Sequence, residues 1–189
     1  MFSLRMVFSL LLGSTLALAP ARAFAQSQSG SGGKQEPSHA PTLSDPEIAH
    51  IAVTANAIDV DLAKLAKARA KDAKVLRFAQ TMVDDHTAVN ARAGALAEKL
   101  GVTPQDNAVS QQLQKGAETA RGELETLSGA KFDRAYIERE VAYHEAVLDA
   151  LDRTLIPGAT NAELRTLLVE VRPVIAAHLK VAESIAETL

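Results

Sequence analysis

From residue 45 onward, apolar side chains recur every three or four positions and never alternate with polar ones over a strand-length run. A period of 3.6 gives one apolar helix face, whereas a half-buried strand needs a period of two. The first stripe is Ile48, Ile51, Ala55, Ile58, Leu62 and Leu65, which predicts a helix over 45–70. "SDPE" at 44–47 opens it as a capping box, with Ser44 as N-cap and Glu47 three residues later. The second stripe runs Val75, Phe78, Met82, His86, Val89, Ala93, Leu96, Leu100 and predicts a helix over 72–100, with Asp72 as cap and Gly101 as terminator. "TP" at 103–104 reads as N-cap and first residue of a third, Gln-rich helix over 105–127, interrupted by Gly116 and Gly122. After the break "SGAKFD" (128–133), the stripe Ile137, Val141, His144, Leu148, Leu151, Leu155 predicts a helix over 131–156 that "PG" at 157–158 stops. "TNAE" at 160–163 reads as a second capping box. The helix it opens runs to about 187 along Leu164, Leu168, Val171, Ile175, His178, Ala182 and Ile185. Pro173 lies inside it and is expected to kink it and free the carbonyl of Val169.

Amphipathic helices joined by short links pack most economically as an antiparallel bundle. The expected fold is therefore all-α: an antiparallel four-helix bundle with the weaker third helix crossing over or capping an end. The chain lacks cysteine, so disulfides, thiol nucleophiles and thiolate metal sites are excluded. Net charge is −3 with no basic patch, which argues against a nucleic-acid partner. The helical period excludes a β-barrel of the outer-membrane kind.

The first 25 residues have the layout of an export signal. Arg5 supplies the positive start, "VFSLLLGSTLALA" the apolar stretch, and Ala23 and Ala25 a small-x-small cleavage pattern before Gln26. Residues 26–43, "QSQSGSGGKQEPSHAPTL", form a Gly/Ser/Pro-rich tether that carries His39, and 44–189 form the helical domain. No second apolar run is long enough to span a bilayer. The expected location is the periplasm or outside the cell, in association with the outer membrane, with an envelope protein or a second copy as partner.

Three of the five histidines, His86, His144 and His178, take core-stripe positions on three different long helices. Each has a β-branched aliphatic three before it and a valine at the third residue after it in "VDDHTAV", "VAYHEAV" and "IAAHLKV". His50 falls on a polar face with Thr54 and Asp61. At about 1.5 Å of rise per residue, Asp59, His86 and His144 lie at similar heights, roughly 17–21 Å from the ends that meet, and His178 about a turn and a half away. Inward polar groups on facing helices are how bundles build metal sites, and neutral imidazole suits Zn, Cu and Fe. The candidate ligands are His86, His144, His178 and Asp59, with Asp85, Tyr136 and Glu140 orienting them. The competing reading, which ranks first on the sequence, is a buried polar network of hydrogen-bonded histidines, with Asp59 a partly exposed flanking residue and Glu138, Arg139 and Glu140 mostly a solvated face. Clustered buried histidines also imply loss of stability towards pH 6.

The segments "FAQTMVDDH", "SGAKFDRAYI" with a histidine beyond it, and "RPVIAAHL" resemble the exported bacterial family known as domain of unknown function 4142, over roughly residues 45–187. The resemblance implies a ferritin-like helical bundle of the periplasm or outer membrane, with no established biochemical role. Its matching positions are Asp85, His86, Phe132, Asp133, Tyr136, His144, Pro173 and His178. Members often carry Glu where this chain has Asp59. Di-iron carboxylate bundles place a Glu three residues before a His, and here those positions are Val83, Val141 and Ile175. Ferroxidase chemistry is therefore not expected. No catalytic constellation is present, so the expected role is a non-enzymatic envelope protein, in stress response or interaction, with a metal-binding bundle as the alternative.

Overall fold

The computed structural model describes residues 43–189; the expected export signal and the expected tether up to residue 42 lie outside the described residues. Those residues form five long helices and no strand: α1 (Asp45–Arg69), α2 (Ala73–Leu100), α3 (Ala108–Glu125), α4 (Gly129–Ala150) and α5 (Ala162–Ala186). The hairpin α1–α2 packs on the hairpin α4–α5, and α3 lies mainly across α1. This is the expected bundle with one additional helix.

Local chemistry sets the ends. The Glu47 carboxylate accepts from the Ser44 backbone N–H at 2.8 Å and its hydroxyl at 2.7 Å, so the capping box forms. Asp72 caps α2 by accepting from Lys74 and Val75 N–H. Gly101 ends α2 at φ +63°, a left-handed conformation that a Cβ would strain. The tight link between α1 and α2 is held from outside: the buried Asp133 carboxylate of α4 accepts from the N–H groups of Lys71 (3.0 Å) and Asp72 (2.9 Å).

Three expected boundaries shift. α3 starts at Asn107 rather than at Thr103–Pro104, because Asn107 accepts from Val109 and Ser110 N–H while Ser110 Oγ returns a bond to its backbone. The segment before it runs back over the start of α1, with Gln105 N–H donating to Pro46 O at 2.9 Å. At the other hairpin, α5 is capped by Asn161, not by Thr160. Thr160 and the Asn161 N–H instead donate to Asp45, which ties the loop to the start of α1. α4 begins at Gly129, two residues early, and continues through a π turn (Leu151–Leu155) and a last turn ending at Gly158. Proline cannot donate and crowds the preceding turn, and the π turn just before Pro157 opens the helix there, with Ile156 N–H reaching Leu151 O. At Gly158 an added Cβ would come within 3.3 Å of Ile48 Cδ1, so a larger residue there would make Ile48 shift by a few tenths of an ångström. Pro173 lies on the exposed face of α5, which remains one helix.

Two apolar clusters fill the bundle. One holds Phe78, Met82, Phe132, Tyr136 and Ile137; the other holds Ile48, Ile51, Leu151, Leu168 and Ile175. Along the helices, His86, His144 and His178 fall between them.

Candidate metal centre

The three histidines converge. His86 of α2 (1 % exposed), His144 of α4 (1 %) and His178 of α5 (5 %) are all buried. Their ring centroids form a near-equilateral triangle with sides of 5.2, 5.6 and 5.8 Å. The offset expected for His178 disappears because α4 reaches Gly158 and α5 starts only at Ala162. At about 1.5 Å per residue, His144 and His178 then differ by roughly 3 Å in height.

Each ring is held through one nitrogen by a group acting as acceptor. Asn56 Nδ2 donates to Ala52 O at 2.8 Å, which leaves Asn56 Oδ1 to accept from His86 Nδ1–H at 2.7 Å. His144 Nδ1–H donates to the Glu140 carbonyl at 2.9 Å, and His178 Nε2–H to the Asp85 carboxylate at 2.9 Å. These bonds fix the tautomers. The lone pairs left over are on His86 Nε2, His144 Nε2 and His178 Nδ1, all buried and all without a protein hydrogen-bond partner. A ring nitrogen from each histidine lies within 4.8 Å of the others. Ligands about 2.0–2.1 Å from a tetrahedral zinc stand about 3.3 Å apart, so closure needs movements of roughly 1.5 Å or less.

A second group adjoins the first. Asp59 (3 % exposed) and Glu140 (1 %) are buried beside His144. This overturns the reading of Asp59 as a partly exposed flank and of Glu140 as part of a solvated face, because α1 turns Asn56 and Asp59 inward as a second, polar stripe beside Ile58 and Leu62. Asp59 Oδ2 lies 3.5 Å from His86 Nε2, longer than a normal hydrogen bond. The two buried carboxyls lie beside each other, which favours a proton on one of them. Burial and the charge of Glu140 push Asp59 well above the usual carboxylate range. Burial pushes Glu140 up to about 7, against the pull of Arg139. Burial, then His178 and His144, hold His86 down at about 3. Burial likewise holds His144 at about 4, against its bond to the Glu140 carbonyl. At neutral pH these imidazoles are uncharged, the form that binds metal.

The expected orienting groups divide. Asp85 orients a histidine, but on α5 rather than its neighbour His86. Glu140 acts through its backbone carbonyl; its carboxylate stands 3.6 Å from His144 Nδ1, beyond hydrogen-bond distance. The Tyr136 hydroxyl reaches no protein partner; its ring packs on Phe132 and Phe78, away from the histidines' bonds. His50 sits apart, 3.8 Å from Asp106. Asn56 escaped the sequence reading. Its only signal was a polar residue three before Asp59, within a stretch otherwise rich in Ile, Val and Ala.

Beside the centre the core is underfilled. A chamber of about 130 Å³ extends from His86, Asn56 and Asp59 towards the end of the bundle where α1 and α5 begin. It is walled by leucine and valine of α2, of α4 with its extension and of α5, and Ala49, Ala52 and Ala55 of α1 with Ala93 and Ala97 of α2 leave it its space.

Fold and site together define an all-helical bundle whose core carries a layer of three inward-facing histidines. The chain belongs to the family described as a domain of unknown function, DUF4142, whose model matches residues 31–185. No curated protein and no solved structure matches the chain significantly.

Proposed function

We propose that this protein binds one transition-metal ion through His86, His144 and His178, and that it does so in the bacterial envelope. The observation that carries the metal reading is the set of three buried, unpartnered ring nitrogens whose opposite nitrogens are each tied to an acceptor. A purely structural network would be expected to bond the rings to one another or to spend both nitrogens of each ring. Metal-binding histidines, by contrast, donate their second N–H to a carbonyl or carboxylate, which is the pattern here. Nitrogen ligands suit Zn, Cu or Fe. Asp59, whose Oδ2 lies 3.5 Å from His86 Nε2, would complete the set or hold a metal-bound water. No described helix is long and apolar enough to cross a membrane, and the envelope location rests on the export-signal pattern of residues 1–25.

Titration of the chain from Gln26 onward with Zn(II), Cu(II) and Fe(II), followed by calorimetry, tests the reading. Saturation at one ion per chain is expected for at least one of the metals. Loss of that binding is expected in the His86→Ala/His144→Ala/His178→Ala variant, with helicity checked by circular dichroism. Unchanged affinity in a folded triple variant sinks the proposal.

A further inference from the structure

The chamber beside the histidines has an apolar volume that the metal reading does not use. Its volume, about 130 Å³, is close to that of engineered cavities that admit benzene. Natural cores close such space, since even one missing methylene is felt. Here the space is set by five alanines on the inner faces of α1 and α2, opposite Leu151, Leu155, Leu168 and Val171 of α4's end and α5. Its walls are apolar except at two places. At the bundle end are Asp45 and Asn161, both already engaged in tying α1 to the α4–α5 loop. At the inner end are Asn56, Asp59 and His86. Of these, His86 Nε2 is a buried acceptor with no protein donor.

The chamber also has an outer wall. Leu96 of α2 and Leu167 of α5, both half-buried, line it and at the same time line a shallow surface groove between those helices. Arg92–Glu170 and Lys99–Glu163 ion pairs bridge the two helices along that groove. Exposed pairs of this kind contribute little and part readily. The chamber is only partly enclosed, and Leu96 and Leu167 stand between it and that groove.

We propose that the chamber is a binding site for a small, mostly apolar organic molecule of about benzene size, carrying one hydroxyl-type donor that it turns towards His86. A phenol or a short-chain alcohol has this chemistry. The apolar body fills the space between the alanines and leucines, and the single donor meets the one unpartnered acceptor on the chamber's wall. The site exists in the metal-free chain; its ligand and a metal would compete for the one free lone pair of His86.

The test uses metal-free protein from Gln26 onward, with phenol and its isostere toluene as probes. Binding is followed by amide chemical shifts and by the unfolding midpoint. Phenol is expected to bind at one per chain, to raise the midpoint, and to perturb residues around Ala93, Leu168 and His86. It is expected to bind roughly three- to tenfold more tightly than toluene, the worth of one net hydrogen bond. Ala93→Leu and Ala97→Leu each fill the chamber with a good helix former. Either is expected to unfold at the same or a higher temperature and to bind phenol at least about tenfold more weakly. Absence of binding by both probes up to their solubility overturns the proposal, as does unchanged affinity in a folded, filled variant. Equal affinity for phenol and toluene overturns the orientation towards His86.

Discussion

At the scale of single residues, the site is defined by hydrogen-bond direction. Asn56, the Glu140 carbonyl and Asp85 each accept from one imidazole, and this leaves His86 and His144 as Nδ1–H tautomers and His178 as the Nε2–H tautomer. Long-range nitrogen–proton correlation spectra of the metal-free protein should report that 2:1 assignment. A different set of tautomers would remove the basis for three converging lone pairs. Asn56→Leu should leave His86 Nδ1 buried without a partner. A stability loss of about 1–3 kcal/mol is expected by thermal unfolding. Metal affinity should fall about 10–100-fold, as for other groups that orient a ligand. The histidines were legible in the sequence because their period coincides with an apolar stripe. Asn56 and the burial of Asp59 and Glu140 were not. Helical periodicity marks the face that points inward, but how wide that face becomes depends on where the neighbouring helices pack, and α1 here is covered by α2, α3 and α4.

At the scale of elements, the hairpins and stripes followed from spacing, while the junctions were decided by contacts distant in sequence. Thr160 matches a capping box by sequence, but Asp45, 115 residues away, takes its hydroxyl and N–H, and the cap passes to Asn161. Asp133 is the clearest case of such a contact. The family resemblance marked its position without a role, and it accepts both free N–H groups at the α1–α2 link. Asp133→Ala should strand two partly buried donors at about 1–3 kcal/mol each, which chemical denaturation would measure. If the loss stays below about 0.5 kcal/mol, typical of a surface change, the link is held by something else. The π turn at Leu151–Leu155 places both of its end leucines on the chamber wall, so a local accommodation to Pro157 shapes the cavity.

At the scale of the whole molecule, the buried groups oppose each other in pH dependence. Clustered histidines alone imply a bundle that weakens towards pH 6. His86 and His144, held at about 3 and about 4, leave the unfolded chain to take up protons first as pH falls below about 6.5. That favours unfolding, and the stability tied to their neutral forms is lost towards acid. Asp59 and Glu140 are raised, so the folded chain takes up their protons first, which favours folding as pH falls from about 7. The two pairs act in opposite directions as pH falls, so the raised carboxyls offset part of the loss that the histidines cause. The metal-free protein should therefore lose less stability below about pH 6.5 than clustered histidines alone imply. Glu140→Gln removes one compensating proton. Its unfolding free energy should fall more steeply towards acid than that of the parent, measured by chemical denaturation at about pH 7 and pH 5. Equal acid sensitivity in both would show that the carboxylate pair does not carry the compensation. On the proposed function, three imidazoles close on one ion. The most direct measurement is metal content and metal-edge X-ray absorption on untagged protein purified without chelators, beside the triple histidine-to-alanine variant. Near-stoichiometric Zn, Cu or Fe bound by three imidazole nitrogens is expected, and none in the variant. A folded parent that carries no metal and takes none up, or a metal whose shell lacks imidazole, would contradict it.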